Sequence, residues 1–198
     1  MTVVNVGYRS TNFWVVGAGP ARLLVDIGWP GTLGTLKANL ARMGVPLREL
    51  RHALATHYHI DHAGLAEELK REGVPLLVPD LQVTAIPAMQ RWTKPADNYV
   101  CITSKGNLVI SCAQSRTLLA GLGIAGEILP TPGHTDHCVS LLLDDGAVFT
   151  GDLPAPERAF DNPTALASWR LLRARGATRV HPAHGPPWTL AREALEVT

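Results

Sequence analysis

Cysteine is scarce in this 198-residue chain. Cys101, Cys112 and Cys138 are an odd number at no framework spacing, which excludes a disulfide scaffold and reads as reduced thiols. Long apolar runs are missing too. No window approaches the roughly 18 consecutive apolar residues of a membrane-spanning helix, and no basic start leads into an apolar leader. A cytoplasmic location away from membranes is therefore expected. Neither sign of charge dominates, since 18 Lys+Arg stand against 17 Asp+Glu for a net charge of +1. That balance lacks the basic surplus of a nucleic-acid binder. What is present is apolar residues, 46% of the chain, enough to exclude disorder and to build the core of a single domain over 1–198. No repeat period suggests a solenoid or propeller.

Runs of β-branched and aromatic residues at 2–6 and 12–16 flank Gly7-Tyr8-Arg9-Ser10 and predict a hairpin. A third strand over 22–26 stops at Gly28-Trp29-Pro30-Gly31. Leu33, Leu36, Leu40 and Met43 then recur at helical spacing between Thr32, a candidate N-cap, and Gly44. A short strand over 52–56, a helix over 63–71 and a strand over 75–78 follow. Residues 80–108 have weak periodicity and contain Pro87 and Pro95, so they read as a helix plus an excursion beside the active site. Beyond them the pattern predicts a helix over 114–122 and strands near 127–129, 139–143 and 147–150, the last two joined by the turn Asp144-Asp145-Gly146. A helix over 164–175, a strand over 179–181 and a closing helix complete the chain. This order suits sheets covered by helices, in the α/β or α+β class.

The chemistry concentrates in Thr56-His57-Tyr58-His59-Ile60-Asp61-His62-Ala63-Gly64. On an extended segment His57 and His59 project to one side, because the side-chain period is close to two. Asp61 and His62 fall where the chain turns into the next element. Imidazole and carboxylate groups at this density suit zinc, iron or manganese. Three later fragments each put a ligand-type residue at a strand end: Pro132-Gly133-His134, Thr150-Gly151-Asp152 and Ala183-His184-Gly185. Any one of them alone reads as structural, but four in order do not. His137 and His181 compete with His134 and His184 as ligands, and His52 reads as a packing residue.

His57-x-His59-x-Asp61-His62, followed in order by His134, Asp152 and His184, resembles the signature of the metallo-β-lactamase superfamily over nearly the whole chain. The resemblance implies an αββα sandwich, two packed mixed β-sheets flanked by helices, with metals held by loops at one edge. It implies two divalent metal ions, one on His57, His59 and His134 and one on Asp61, His62 and His184, bridged by Asp152. Zinc is the expected metal, with iron or manganese compatible. It also places Asp26, at a strand end, behind the ligands as the residue that orients one of them. Two dications facing two ligating carboxylates would ionise a bridging water near neutral pH, with Asp61 orienting the hydroxide.

The implied activity is hydrolysis of a small-molecule thioester, lactone or other ester. Asp152 stands where β-lactamases of the family carry cysteine or serine, and resembles glyoxalase II, lactonase and nuclease members instead. Only 14 residues follow His184, against the extra C-terminal helices of glyoxalase II. Phosphodiester hydrolysis or β-lactam hydrolysis would use the same arrangement, and a mononuclear iron oxygenase of the persulfide dioxygenase type is the alternative from another class. For the substrate pocket, Trp29, Met89, Trp92 and Tyr99 are expected to line the walls from irregular segments, with Arg116 as a candidate anion binder. Cys138 is a candidate pocket residue or buried thiol. The oligomeric state is left open.

Overall fold

Strands whose two faces are both apolar set the layering of this chain, of which the computed structural model describes residues 1–191. β1 (Thr2–Asn5), β2 (Trp14–Ala18) and β3 (Ala21–Val25) form an antiparallel meander. Helix α1 (Leu33–Arg42) then crosses over, and β4 (Leu50–Leu54) joins β3 in parallel. After α2 (Ile60–Ala63) and α3 (Ala66–Arg71), β5 (Leu77–Pro79) continues toward this sheet through an Ala53–Leu76 bridge. The segment that follows holds short 3-10 turns and α4 (Ala85–Ala88), and it ends in β6 (Leu108–Ile110), parallel to β5.

The second sheet begins after α5 (Ser115–Gly121). β7 (Gly126–Pro130), β8 (Val139–Leu143) and β9 (Ala147–Gly151) are antiparallel. Helix α6 (Pro163–Ala174) crosses to β10 (Arg179–Pro182), parallel to β9, and β11 (Trp188–Thr189) closes the edge.

Because successive strand residues point to opposite faces, one strand feeds two layers. Trp14 and Val16 of β2, Leu23 and Val25 of β3, Ile128 of β7, and Leu141 and Phe149 of β8 and β9 meet between the sheets. Val15, Leu24 and Ala53 point the other way, onto Leu36 and Leu40 of α1 and Leu69 of α3. On the far side Leu142 and Val148 pack on Trp169 and Leu172 of α6. Helices, sheet, sheet, helix is the αββα sandwich, and the fold class expected above is the one observed. No helix among the described residues is long and apolar enough to cross a membrane.

The differences from expectation are local. The helix expected over 63–71 is two pieces, α2 and α3, broken at Gly64, where any Cβ would run into the Ile60 carbonyl and the Pro30 ring. Thr32 does not cap α1 with its side chain; its hydroxyl bonds the Trp29 carbonyl and the Tyr8 hydroxyl. β6 and β11 are strands of three and two residues that were not expected. The expected closing helix falls chiefly on 192–198, outside the described residues.

Candidate metal centre

All the ligand-type residues leave their strands at the same edge of the sandwich. β4 runs into the loop that carries His57 and His59, and α2 carries Asp61 and His62. His134 lies between β7 and β8, Asp152 just after β9 and His184 just after β10. The structure gathers them into two groups, His57, His59, His134 and Asp152, and Asp61, His62 and His184, with the ligand atoms of each within 4.8 Å of one another. Asp152 lies between the groups. Its Oδ2 is 3.7 Å from His134 Nε2, 3.9 Å from His57 Nε2 and 3.3 Å from His62 Nε2, while its Oδ1 is 3.3 Å from His184 Nε2.

A shell of contacts aims these side chains. The His184 Nδ1–H donates to the Ser10 carbonyl at 2.7 Å, which turns the ring so that Nε2 faces Asp61 and Asp152. Asp61 Oδ2 accepts from the Thr11 hydroxyl at 3.1 Å. Asp26 Oδ2 lies 3.1 Å from His62 Nδ1, and Asp26 Oδ1 accepts from the Thr56 amide and hydroxyl. Asp26 thus stands behind His62. Gly151, at φ +57, passes so close to Thr56 that a Cβ there would strike the Thr56 hydroxyl.

The His134 turn is seated on α6. Gly133, at φ +151, would put a Cβ 2.7 Å from Ala165 Cα. Asn162 accepts from the Ala165 amide as the helix cap and donates to the Gly133 carbonyl at 2.8 Å, and Ser168 donates to the Pro132 carbonyl at 2.6 Å. Cys138 is buried, with Sγ accepting from the Thr135 amide at 3.2 Å, so it shapes that turn.

Charge in the cluster divides cleanly. Burial, with His62, His59 and His134 nearby, pushes the His57 pKa well below the usual histidine range, and burial lowers His59 and His134 as well. These imidazoles are neutral and keep a lone pair. For His62 burial opposes the charged form, but Asp26, Asp152 and Asp61 outweigh it and raise the pKa well above the usual value. Burial likewise opposes ionised Asp61 and Asp152, yet hydrogen bonding and charge from His62 bring Asp61 down to about 2, and His62, His184 and His134 lower Asp152.

The residues present fit a metal pair. His57 Nε2, His62 Nε2 and Asp152 Oδ1 are buried and make no close hydrogen bond, their facing carboxylate or imidazole atoms standing 3.3 Å or more away. Leaving a buried polar atom unpaired costs on the order of 1–3 kcal/mol, and one cation in each group, with Asp152 between them, would account for all three. Three carboxylates crowding one imidazole likewise describe a place built for positive charge.

A cleft of about 900 Å³ opens at the ligands, lined by His134, Asp152 and His184 and walled by Leu153, Pro154 and Trp188. Its cation is Arg158. None of the five residues expected in the pocket lines it, which corrects that expectation. Met89 is core, 1% exposed. Trp29 and Tyr99 pack against the outer face of the first sheet, Trp29 beneath the Arg9 guanidinium. Trp92 is 73% exposed away from the cleft. Arg116 is paired with Asp144 and Glu127 on the surface. Of the remaining histidines, His181 is held between Trp14 and Phe149, and neither it nor His137 joins a ligand group.

Several site residues carry no signature in the sequence. Thr11 and Ser10 belong to the first hairpin, and Thr56 could have been suspected only from its place before His57. Gln82, fully buried, donates through Nε2 to the Ala55, Thr56 and His137 carbonyls, tying the first histidine loop to the segment after His134.

Comparison with known proteins agrees with the geometry. The pattern of the metallo-beta-lactamase superfamily matches residues 6–196. An atrochrysone carboxyl ACP thioesterase of Aspergillus fumigatus is 31% identical over 183 residues, 89% of this chain and 38% of that protein. The lactamase-like protein notP of an Aspergillus species is 32% identical over 89% of this chain and 50% of its own length. The chain thus spans about half the length, or less, of these relatives. A metallo-beta-lactamase family protein from Thermus thermophilus superposes with a TM-score of 0.74 at 19% identity, over 98% of this chain and 76% of that one. The BLEG-1 B3 metallo-beta-lactamase gives 0.72 at 21%, over 97% and 95%. These two structures share the fold. With the family pattern covering all but the ends of the sequence, the chain belongs to the metallo-beta-lactamase superfamily.

Proposed function

We propose that the chain is a metal-dependent hydrolase of small-molecule thioesters or related esters, holding two divalent cations, zinc in the first instance, on the seven residues named above. The observation that carries this reading is the pair of facing ligand groups sharing Asp152, with buried ring nitrogens left unpaired, at the floor of an open cleft. When bound, such a pair of cations supplies an ionised water and a polarised carbonyl. Asp61, fixed by the Thr11 hydroxyl, holds a proton-accepting oxygen toward the space between His62 and His184. Asp152 sets the spacing of the two groups with its two oxygens. His134 and His184 are the more exposed ligands, so the substrate enters past them, with its apolar part on Leu153, Pro154 and Trp188.

In the reaction the water oxygen bonds the carbonyl carbon, the carbon–sulfur or carbon–oxygen bond breaks, and the departing thiolate or alkoxide takes up a proton. A thiolate leaves without an acid, which favours thioesters in a cleft whose non-ligating acid is the exposed Glu157. The 31% identical relative is named for thioester hydrolysis, in support of the same reading. Elemental analysis and turnover of thioester, lactone, ester, phosphodiester and β-lactam probes by zinc-loaded and chelated protein test it. Two zinc ions per chain with chelator-sensitive thioester or ester turnover is the expected result. One iron per chain with oxygen consumption on a persulfide would overturn it.

A further inference from the structure

We propose that Arg158 is the specificity residue of this cleft, and that the substrate carries an anionic group, carboxylate or phosphate, remote from the bond that breaks. The inference rests on the hydrolase reading for what is cleaved, but not for what is bound. Arg158 lines the same cleft as His134, Asp152 and His184. It is the permanently cationic side chain of that lining, which is otherwise apolar beyond the ligands, Thr150 and Glu157.

Arg158 is also unspent. Among the described residues Arg22, Arg116, Arg175 and Arg179 each hold a carboxylate within 3.3 Å, and Arg9 lies over the Trp29 ring; the exposed Arg42, Arg48, Arg51, Arg71, Arg91 and Arg170 hold none, but none of them lines this cleft. The Arg158 guanidinium has no such partner there. Its planar fork of donors matches a carboxylate or phosphate.

The backbone that presents it is pinned. The Arg158 amide closes a turn on the Ala155 carbonyl at 2.8 Å, Pro156 and Ala159 on either side are buried, and Trp169 Nε1 donates to the Pro154 carbonyl at 2.6 Å. Six residues earlier on this same segment is Asp152, the carboxylate between the two ligand groups. The cation and the reacting centre therefore sit on one fixed stretch of chain, so a substrate with its anion on Arg158 has its other end measured against the ligands. Glu157, in the same lining, works against the anion and makes the prediction two-sided.

The test compares zinc-loaded wild type, Arg158→Gln and Glu157→Gln on three butyryl thioesters. One has a leaving thiol ending in a carboxylate, one in a phosphate, and one in the methyl ester of that carboxylate. For the charged probes KM is expected to rise about tenfold in Arg158→Gln with kcat little changed, and to fall in Glu157→Gln. The neutral probe should respond to neither change. A larger effect on the phosphate or on the carboxylate identifies which anion the site takes. Equal KM changes for charged and neutral probes, or none, overturn the proposal. Should wild type cleave none of the three, the hydrolase reading fails by itself. Calorimetric binding of the carboxylate-bearing thioether analogue to wild type and Arg158→Gln then still decides the matter, equal affinity overturning it and about tenfold weaker binding to the variant supporting it.

Discussion

Asp26 occupies the left-handed region at φ +58, a conformation that Asp and Asn tolerate better than other non-glycine residues. Its Oδ1 is occupied by Thr56 and its Oδ2 faces His62 Nδ1. Asp26→Asn preserves the shape and the Thr56 contacts to Oδ1, and replaces the acceptor behind His62 Nδ1 with an NH2 donor, so both the charge and the hydrogen bond that aims the ring are removed. Zinc affinity, read by competition with a chromophoric chelator, is expected to fall about 10–100-fold, with the fold intact by circular dichroism. Unchanged affinity would show that this carboxylate does not tune the ligand. Asp26 is legible in the sequence because it ends a strand in a recognisable pattern. Gln82 is not: its partners are main-chain carbonyls at positions 55, 56 and 137, and an amide side chain that serves distant carbonyls leaves no local pattern. Met89 shows the opposite failure, since an apolar side chain in an irregular segment reads alike whether it faces a cleft or the core.

At the scale of elements, regular strands are readable where alternation and turn chemistry agree. β8 falls on 139–143 as expected, followed by the Asp144-Asp145-Gly146 turn with Gly146 at φ +87. β6 and β11 are too short to show a period and exist through their partners. The 80–108 excursion is held by one such tertiary device. Glu67 on α3 accepts from the Thr103 amide at 2.9 Å and from Lys70 Nζ at 3.0 Å, while Lys70 donates to the Thr103 carbonyl at 2.7 Å. Burial alone would raise the Glu67 pKa, but the Thr103 amide and Lys70 outweigh it and hold it below the ordinary glutamate value of 4.5. A carboxylate with a depressed folded-state pKa binds fewer protons folded than unfolded, so its contribution is complete above the unfolded pKa and is lost as pH falls through the folded one. Glu67→Gln should therefore lower the melting temperature at pH 7, and the gap to wild type should narrow below pH 4.5. A gap that stays constant from neutral pH down to about pH 3 would refute the assignment.

For the whole molecule, four of the seven ligand residues follow β4 of the first sheet and three follow β7, β9 and β10 of the second, so a bound metal pair would clamp the sandwich at one edge. That edge is already fastened by protein contacts. Val139 donates to the Thr56 carbonyl, Asn12 to the Ala183, Pro182 and Gly185 carbonyls, and Trp14 Nε1 to the Pro182 carbonyl. With three apolar layers behind these bonds, the metal-free chain is expected to fold, unlike small domains whose folding is metal binding itself. Metal should then act as an ordinary ligand of the native state. Zinc at a hundred times its dissociation constant adds about 2.7 kcal/mol per site, about 5.4 kcal/mol for a pair, which for a chain of this size raises the melting temperature by roughly 11–22 °C. Scanning calorimetry of apo protein, zinc-loaded protein and zinc-loaded protein with chelator checks this, the last returning to the apo value. Asp152→Ala removes the carboxylate between the two groups, whose Oδ1 makes no hydrogen bond among the described residues. It should cancel most of the zinc-induced rise while leaving the apo melting temperature within a few degrees of wild type. A rise of the same size in Asp152→Ala would place the stabilising metal somewhere other than this edge.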